Sequence, residues 1–324
     1  MNRSMVDEVT EALKTGDNFL ITAHVNPEGD SIGSQLSVYH ILEKMGKNAV
    51  MVGNYIVPEN LRFLPGAGSI LNELPAGFRP ETAIILDCPT KERIGKVNDH
   101  LEGVKLIVNI DHHISNEYFG DINWVEPEAS AVGEMVYSLI EKLGMELDDK
   151  MNSAMYAAIV TDTGMFNYDN TSRRTHLVAG ELIASGVNPK IMHTKLFEEK
   201  SLPQIRLMGK VLSTIKVEKD GRLAYMWMTR EMQEEENIRS VATDEFINYP
   251  RSIKGVEVAV FFKERINNPG HIDISFRSMG KIDVDVIAAS FGGGGHKRAA
   301  GCFLKGDLEE VREKVLKEIR EVLG

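Results

Sequence analysis

The 324-residue sequence contains only two cysteines, Cys88 and Cys302, far apart and without a CxxC pair. This excludes a thiolate zinc knuckle and a disulfide framework. No apolar stretch approaches the length needed to span a bilayer, which excludes a helical membrane protein. The first twenty residues carry acids through an amphipathic helix pattern and lack a signal peptide's apolar core, so a cytoplasmic location is expected. Basic excess is absent as well: 37 Lys and Arg against 48 Asp and Glu leave a net charge of -11 and a pI near 5.4. An acidic surface argues against broad binding to long nucleic acid. It leaves room for a small phosphorylated ligand held by a local basic pocket or a metal. Internal repeats and low-complexity tracts are also missing.

The rest is ordinary for a folded soluble chain, 43% hydrophobic. At this length two domains are expected. A short helix at Val6–Lys14 precedes a buried strand at Asn18–Ala23 and a helix at Ser31–Met45, where Ile32, Leu36, Tyr39 and Leu42 fall at helical spacing. Apolar runs recur at Ala49–Val52, Thr82–Leu86 and Leu106–Ile110. Helical patterns follow at Ala129–Leu143, Met151–Val160, Leu177–Ser185 and Pro189–Phe197. This alternation predicts an α/β domain whose mainly parallel sheet is covered on both faces. The texture changes near Ser201. Leu202–Leu212 reads as a connecting helix with Pro203 in its first turn. Runs at Leu223–Met228, Val256–Phe262 and Ile272–Phe276, with turns at Lys219-Asp220-Gly221 and Asn267-Asn268-Pro269-Gly270, predict a smaller α/β domain with a mixed or antiparallel sheet. Helices at Asp283–Ser290 and Leu308–Leu323 would pack on it. The expected partition is 1–200, a linker at 201–212, and 213–324.

Polar chemistry collects where the expected strands end. His24-Val25-Asn26-Pro27-Glu28-Gly29-Asp30 follows the first strand, with Ser31 placed to cap the next helix. Asp87 ends the run Thr82–Leu86, and a carboxylate there is costly to bury unless it is paired or bound to a cation. Asp111-His112-His113 ends the next strand, and Thr161-Asp162-Thr163-Gly164 ends a helix. Each alone has a bland reading as a cap, a turn or a helix stop. Together they are an imidazole and carboxylate set without thiolate, at edges that converge in a parallel sheet. Such a set suits Mn²⁺, with Mg²⁺, Co²⁺ or Fe²⁺ as substitutes. An isolated carboxylate such as Asp87 can bridge two ions, and two-metal sites, with ions roughly 3.5–4 Å apart, act on phosphoryl groups.

A second run, Phe291-Gly292-Gly293-Gly294-Gly295-His296-Lys297-Arg298-Ala299-Ala300-Gly301, lets backbone N–H groups approach an anion and adds cations to an acidic protein. Arg277 offers a planar fork suited to phosphate.

In these motifs the chain resembles the DHH/DHHA1 phosphoesterases, of the stand-alone nanoRNase/pAp phosphatase kind that includes c-di-AMP and pApA phosphodiesterases. HVNPEGDSIGS stands for the first motif, Asp87 for the second, Asp111-His112-His113 for the third and TDTGMF at Thr161–Phe166 for the fourth. GGGGHKRAAG stands for the DHHA1 signature. The resemblance implies two Mn²⁺ ions, one held by His24, Glu28 and Asp87, the other by Asp30, Asp87, His112 and Asp162. It makes Asp87 and His113 catalytic, with His113 facing the scissile phosphate and Asp111 orienting the histidines. It assigns substrate binding to His113, Arg277, Gly293, Gly294, Gly295, His296 and Arg298. The implied reaction is hydrolysis of pApA, nanoRNA or c-di-AMP to mononucleotides by hydroxide attack on phosphorus, with pAp as a further substrate. The resemblance also implies a homodimer. Glu28 stands where the family's usual motif has aspartate.

Two other functions compete. An inorganic pyrophosphatase or exopolyphosphatase shares the first domain but not the glycine-rich run. A non-catalytic cyclic-dinucleotide sensor would make sense of Glu28. An RNA-binding module is disfavoured by the acid excess. The remaining histidines, His40, His100, His176, His193 and His271, read as structural or surface groups. Arg93 could reach the cleft but reads first as a surface arginine, and Arg174 could contact phosphate but reads at least as well as helix-surface charge, while Asn170-Thr171-Ser172 matches a glycosylation acceptor with no secretory context.

Overall fold

The first half of the chain runs α1 (Met5–Thr15), β1 (Phe19–Ala23), α2 (Gly29–Lys44), β2 (Ala49–Val52), β3 (Ile70–Leu71), β4 (Thr82–Leu86), β5 (Leu106–Asp111), β6 (Ile122–Val125), α3 (Val132–Leu143), α4 (Asp149–Asp162), α5 (Arg173–Ala184) and α6 (Pro189–His193). This computed structural model describes residues 4–238, 243 and 246–324. The chain divides between Glu199 and Lys200 into two units.

In the first unit, β1 and β4 are buried at every residue, as expected for central strands covered on both faces. The six strands stand in the order β3-β2-β1-β4-β5-β6, and every pairing is parallel. The chain builds outward from β1 to β3, then returns to the other side of β1 with β4. Strand order therefore reverses between β1 and β4, and a crevice opens beyond their carboxyl ends. The main core, including Phe19, Ile21, Leu36, Ile84, Val108 and Met155, lies on one face. A smaller core with Leu20, Ile85, Ile94 and Val97 lies on the other.

Helices α2, α3 and α4 pack too closely for side chains at three glycines. A Cβ at Gly33 would sit 2.3 Å from the Ala154 carbonyl oxygen. At Gly29 it would lie 2.1 Å from Thr161 Oγ1, and at Gly133 2.5 Å from the Ala158 Cβ. This packing brings Asp30, at the start of α2, towards Asp162, at the end of α4.

The second unit runs α7 (Leu202–Ser213), β7 (Lys216–Glu218), β8 (Leu223–Met228), α8 (Arg230–Glu235), α9 (Asn248–Arg251), β9 (Val258–Glu264), β10 (His271–Ser278), α10 (Val284–Ser290), β11 (Gly294–His296), β12 (Ala299–Lys305) and α11 (Leu308–Leu323). Its sheet, β11-β12-β10-β9-β8-β7, is mixed: β8 and β9 are parallel and the other pairs antiparallel. Both expected turns close hairpins, between β7 and β8 and between β9 and β10. Helix α11 buries Val311, Val315, Leu316, Ile319 and Leu323 along one stripe.

Several sequence expectations shift. Helix α3 starts at Val132 rather than Ala129, because the Asp30 carboxylate accepts from the Val132 and Gly133 N–H groups at 2.7 and 3.0 Å and so fixes the first turn. Ser31 lies inside α2, where its hydroxyl accepts from the Glu28 N–H at 2.9 Å, instead of preceding the helix. Pro189–Phe197 is α-helical only to His193 and continues as a π turn at Thr194–Glu198. The glycine-rich run is a β-hairpin, not an open loop. Strands β3, β6 and β7 were not expected: each is only two to four residues long, and neighbouring strands make them strands.

Candidate metal centre

Three strands and two helices deliver the polar groups to the crevice. His24 follows β1, Asp87 follows β4, and Asp111-His112-His113 ends β5. Asp30 opens α2 and Asp162 closes α4. Asp87 has a left-handed backbone, with φ +52°. A residue with a Cβ adopts it reluctantly, and the Asp87 N–H donated to the Ile110 carbonyl at 2.9 Å helps to hold it.

Three groups of ligand atoms meet at Asp87: His24, Glu28 and Asp87; Asp30, Asp87 and His112; and Asp87, Asp111 and His113. His24 Nε2 lies 3.3 Å from Asp87 Oδ2 and 3.6 Å from Glu28 Oε1. His112 Nε2 lies 3.8 Å from Asp30 Oδ2 and 3.7 Å from both Asp87 Oδ1 and Asp162 Oδ2. Asp87 is fully buried, yet neither of its oxygens accepts a hydrogen bond from any described residue, and the same holds for His24 Nε2. A buried carboxylate without donors is unfavourable by several kcal/mol unless a cation compensates it. The residues therefore fit a divalent ion, and the all-oxygen and nitrogen donor set suits a hard or borderline one.

The histidines are prepared differently. His112 Nδ1 donates to the Ala129 carbonyl at 3.0 Å, which leaves the Nε2 lone pair for a cation. His24 Nδ1 accepts from the Asn26 N–H at 3.3 Å, and its Nε2 faces Asp87 Oδ2 at 3.3 Å. His113 Nδ1 donates to Asp111 Oδ1 at 2.8 Å. The expectation that Asp111 orients both rings meets a difference: at His112 it accepts only the backbone N–H, at 2.9 Å, while Ala129 meets the ring.

Crowded acids raise one another's proton affinity. Burial, with Asp87 adding, pushes Asp30 up to about 6 against the pull of His112. Burial also lifts Asp162 well above the usual carboxylate range. Burial alone would lower His112, but Asp162, Asp30 and Asp87 outweigh it and raise it to about 10. Without a cation, protons take over part of the neutralisation.

An outer layer holds these groups. Ser34 donates to Asp30 Oδ1 at 2.9 Å. Asn170 Nδ2 donates to the Ser130 and Asp162 carbonyls at 2.9 and 3.1 Å and lies 3.4 Å from Asp162 Oδ2. Asn116 and Asn109 back Asp111. Sequence reasoning missed all of these, and it took Asn170 only for part of a modification tripeptide. Arg93 is half-buried, and its carbonyl accepts from the Val25 N–H at 2.8 Å, next to His24. Arg174 pairs with the buried Glu134 at 3.3 Å, His176 stacks on Phe166, and His40 Nε2 meets the Pro65 carbonyl at 3.0 Å.

The second unit gathers the other candidates. Pairing sets Arg277 opposite Ala299, and Ala299 opposite His296, so the three occupy one row across β10, β12 and β11. The Arg277 Nε is buried without a hydrogen-bond partner among the described residues. Gly293 and Gly295 must be glycine, since a Cβ would lie 2.2 Å from the Gly301 carbonyl oxygen and 2.5 Å from that of Ala299. Gly294 begins β11, and the Arg298 carbonyl accepts from the Ser278 N–H at 3.0 Å, tying the hairpin to β10.

Residues 18–159 match the DHH family, N-terminal domain, and residues 220–324 match the DHHA1 domain. Over 320 residues the chain is 36% identical to the bifunctional oligoribonuclease and PAP phosphatase NrnA of Thermus thermophilus, covering 97% of this chain and 93% of that protein. The chain belongs to the DHH family. This DHH protein, which carries a DHHA1 domain, is an enzyme. It is also 26% identical to the cyclic-di-AMP phosphodiesterase PdeA of Listeria monocytogenes, over 97% of this chain but 49% of that protein. The crystal structure of an exopolyphosphatase-related protein from Bacteroides fragilis matches with a TM-score of 0.87 at 31% identity, covering 98% of this chain and 97% of that one.

Proposed function

We propose that this DHH enzyme is a manganese-dependent phosphodiesterase that hydrolyses short nucleotides such as pApA, nanoRNA or c-di-AMP to mononucleotides, with pAp as a further substrate. The observation that carries the reading is Asp87, a buried carboxylate shared by three ligand groups and without a hydrogen-bond donor among the described residues. Relatives named for oligoribonuclease, PAP phosphatase and cyclic-di-AMP phosphodiesterase activity support the substrate class.

His24, Glu28 and Asp87 would hold one ion, and Asp30, Asp87, His112 and Asp162 the other. Bound there, Mn²⁺, or Mg²⁺ or Co²⁺ in its place, supplies Lewis-acid stabilisation of phosphoryl charge and acidifies the attacking water. Asp87 turns Oδ2 towards His24 and Oδ1 towards His112, so it would serve both positions. With Nδ1 committed to Asp111, His113 turns Nε2 to the scissile phosphate and stabilises charge that grows on its oxygens. Arg277, Gly293, Gly294, Gly295, His296 and Arg298 would take the nucleotide's anionic groups, which makes 1–200 the catalytic domain, 201–212 the linker and 213–324 the recognition domain. A homodimer in the cytoplasm completes the reading. No helix among the described residues is long and apolar enough to cross a membrane.

The test is a screen of pAp, pApA, longer oligonucleotides and cyclic dinucleotides with Mn²⁺, with His113→Ala as control. Release of AMP from pApA is expected. Failure of every such nucleotide with every divalent metal would sink the reading. Phosphate released from pyrophosphate but not from dinucleotides would point instead to a pyrophosphatase, and tight cyclic-dinucleotide binding without turnover to a sensor.

A further inference from the structure

Behind His113 lies a chain of buried side chains that the metal centre itself does not need. Asn116 is 7% exposed and sits three residues after His113, in a turn closed by the Asn116 N–H donating to the His113 carbonyl at 3.2 Å. Its amide uses both N–H donors and its oxygen. Nδ2 donates to Asp111 Oδ2 at 2.6 Å and to Asn109 Oδ1 at 2.8 Å, and Oδ1 accepts from the Tyr118 N–H at 2.7 Å. The amide's orientation is thereby settled. Flipping it would set oxygen against two acceptors and NH₂ against a donor. Asp111 passes the restraint on, because its other oxygen, Oδ1, faces His113 Nδ1. Asn109, fully buried, extends the chain the other way and donates from Nδ2 to the Cys88 carbonyl at 3.1 Å and to the Ile85 carbonyl at 3.3 Å. Cys88 directly follows Asp87, the left-handed residue at the centre of the site.

We infer that Asn116 is a positioning residue for His113: its amide locks the Asp111 carboxylate, which locks the imidazole, and Asn109 ties that assembly to the turn presenting Asp87. This rests on the phosphodiesterase reading, in which His113 meets the phosphate. A shared donor explains why an amide is required. Asp111 has one oxygen for His113 and needs a donor for the other that does not itself compete for the imidazole. Without that donor the carboxylate is held through Oδ1 alone, by the His112 N–H and the His113 ring, and can rotate about that contact; ångström-scale drift at a group that meets the transition state lowers rate before it lowers binding.

The test uses the full chain, Mn²⁺ and pApA, with Asn116→Ala and the isosteric Asn116→Asp, each alone and crossed with His113→Ala. Asn116→Asp keeps the shape and the Tyr118 bond but turns the shared donor into an acceptor. Either substitution is expected to lower kcat about 10- to 100-fold with KM and Mn²⁺ affinity nearly unchanged. In the His113→Ala background the further loss should be no more than about threefold, since the two residues act as one unit. Losses that multiply in the double variant would overturn the inference. So would a folded Asn116→Asp protein with wild-type kcat, or Mn²⁺ affinity falling in step with kcat. If the wild type turns over no nucleotide, the phosphodiesterase reading fails separately, and the ¹⁵N shifts of His113 then decide. A changed Nδ1 signal in Asn116→Asp supports the relay, and an unchanged one refutes it.

Discussion

Replacing Gly33 by alanine would put a Cβ 2.3 Å from the Ala154 carbonyl oxygen, 3.0 Å from the Ala158 Cβ and 3.1 Å from the Ala158 nitrogen. Two of these atoms are backbone of α4, so no side-chain rotation relieves the contact. Restoring ordinary separation requires α2 and α4 to part by about an ångström, and overpacking of that kind typically costs about 1–3 kcal/mol. For a unit near 200 residues this lowers Tm by roughly 2–4 °C per kcal/mol. The same movement reaches the site, because Asp30 rides on α2 and Asp162 on α4, and both now lie within 3.8 Å of His112 Nε2. Functional geometry tolerates only about 0.5 Å. Gly33→Ala should therefore weaken Mn²⁺ binding at least tenfold as well as lowering Tm. The assays are calorimetric titration of Mn²⁺ and thermal melts with and without the metal. Gly180→Ala in α5 is the control. A Cβ there meets nothing within 4 Å, so helix propensity should stabilise it by about 0.5–1 kcal/mol. A Gly33→Ala protein with wild-type melting and wild-type Mn²⁺ affinity would refute the account of how the helices hold the acids.

Asp87→Asn should abolish the rise in Tm that saturating Mn²⁺ gives the wild type, a rise worth about 2.7 kcal/mol at a hundredfold excess over Kd, while the metal-free Tm holds or increases. An undiminished Mn²⁺ shift in the variant would contradict the shared-ligand role. Asn170→Ala should reduce Mn²⁺ affinity about 10- to 100-fold by loosening Asp162, with little change in metal-free stability. Unchanged affinity in calorimetry would remove Asn170 from the site. In the second unit, Arg320 foremost, with help from Tyr225 and against burial, holds the Glu218 carboxyl below its usual value of 4.5. That stabilisation is present above the usual value and is lost as pH falls through the lowered one. The Tm difference between wild type and Glu218→Gln should be greatest above about pH 5 and shrink in acid. A difference that does not change with pH would show that the pair contributes nothing through its charge.

The parts of the fold legible in the sequence are those where burial writes a continuous signal. Ala49–Val52, Thr82–Leu86 and Leu223–Met228 are strands with the expected bounds because each is an unbroken apolar run between polar turns. The two-residue strand Ile70–Leu71 and Ile122–Val125 carry no such signal, since pairing with β2 and β5 rather than composition makes them strands. Of the candidate site, His24, Asp87 and Asp111-His112-His113 stand out because a polar group directly after a buried run is chemically expensive without a purpose. Asn109, Asn116 and Asn170 do not, because asparagine is common in turns for ordinary reasons.

The sequence by itself determined the alternating α/β pattern, the strand-end acids and histidines, and the glycine-rich run with its cations, because each is local in the chain. Only the tertiary structure decided which of these groups share a cation position and what holds them there. Asp30 caps a helix that begins 102 residues later, and Asn170 reaches back 40 residues to the Ser130 carbonyl beside Asp162. Asp87 is buried without a hydrogen-bond donor among the described residues only in the folded chain. These relations are distances between remote segments, set by three glycines that let helices touch and by the reversal of strand order between β1 and β4.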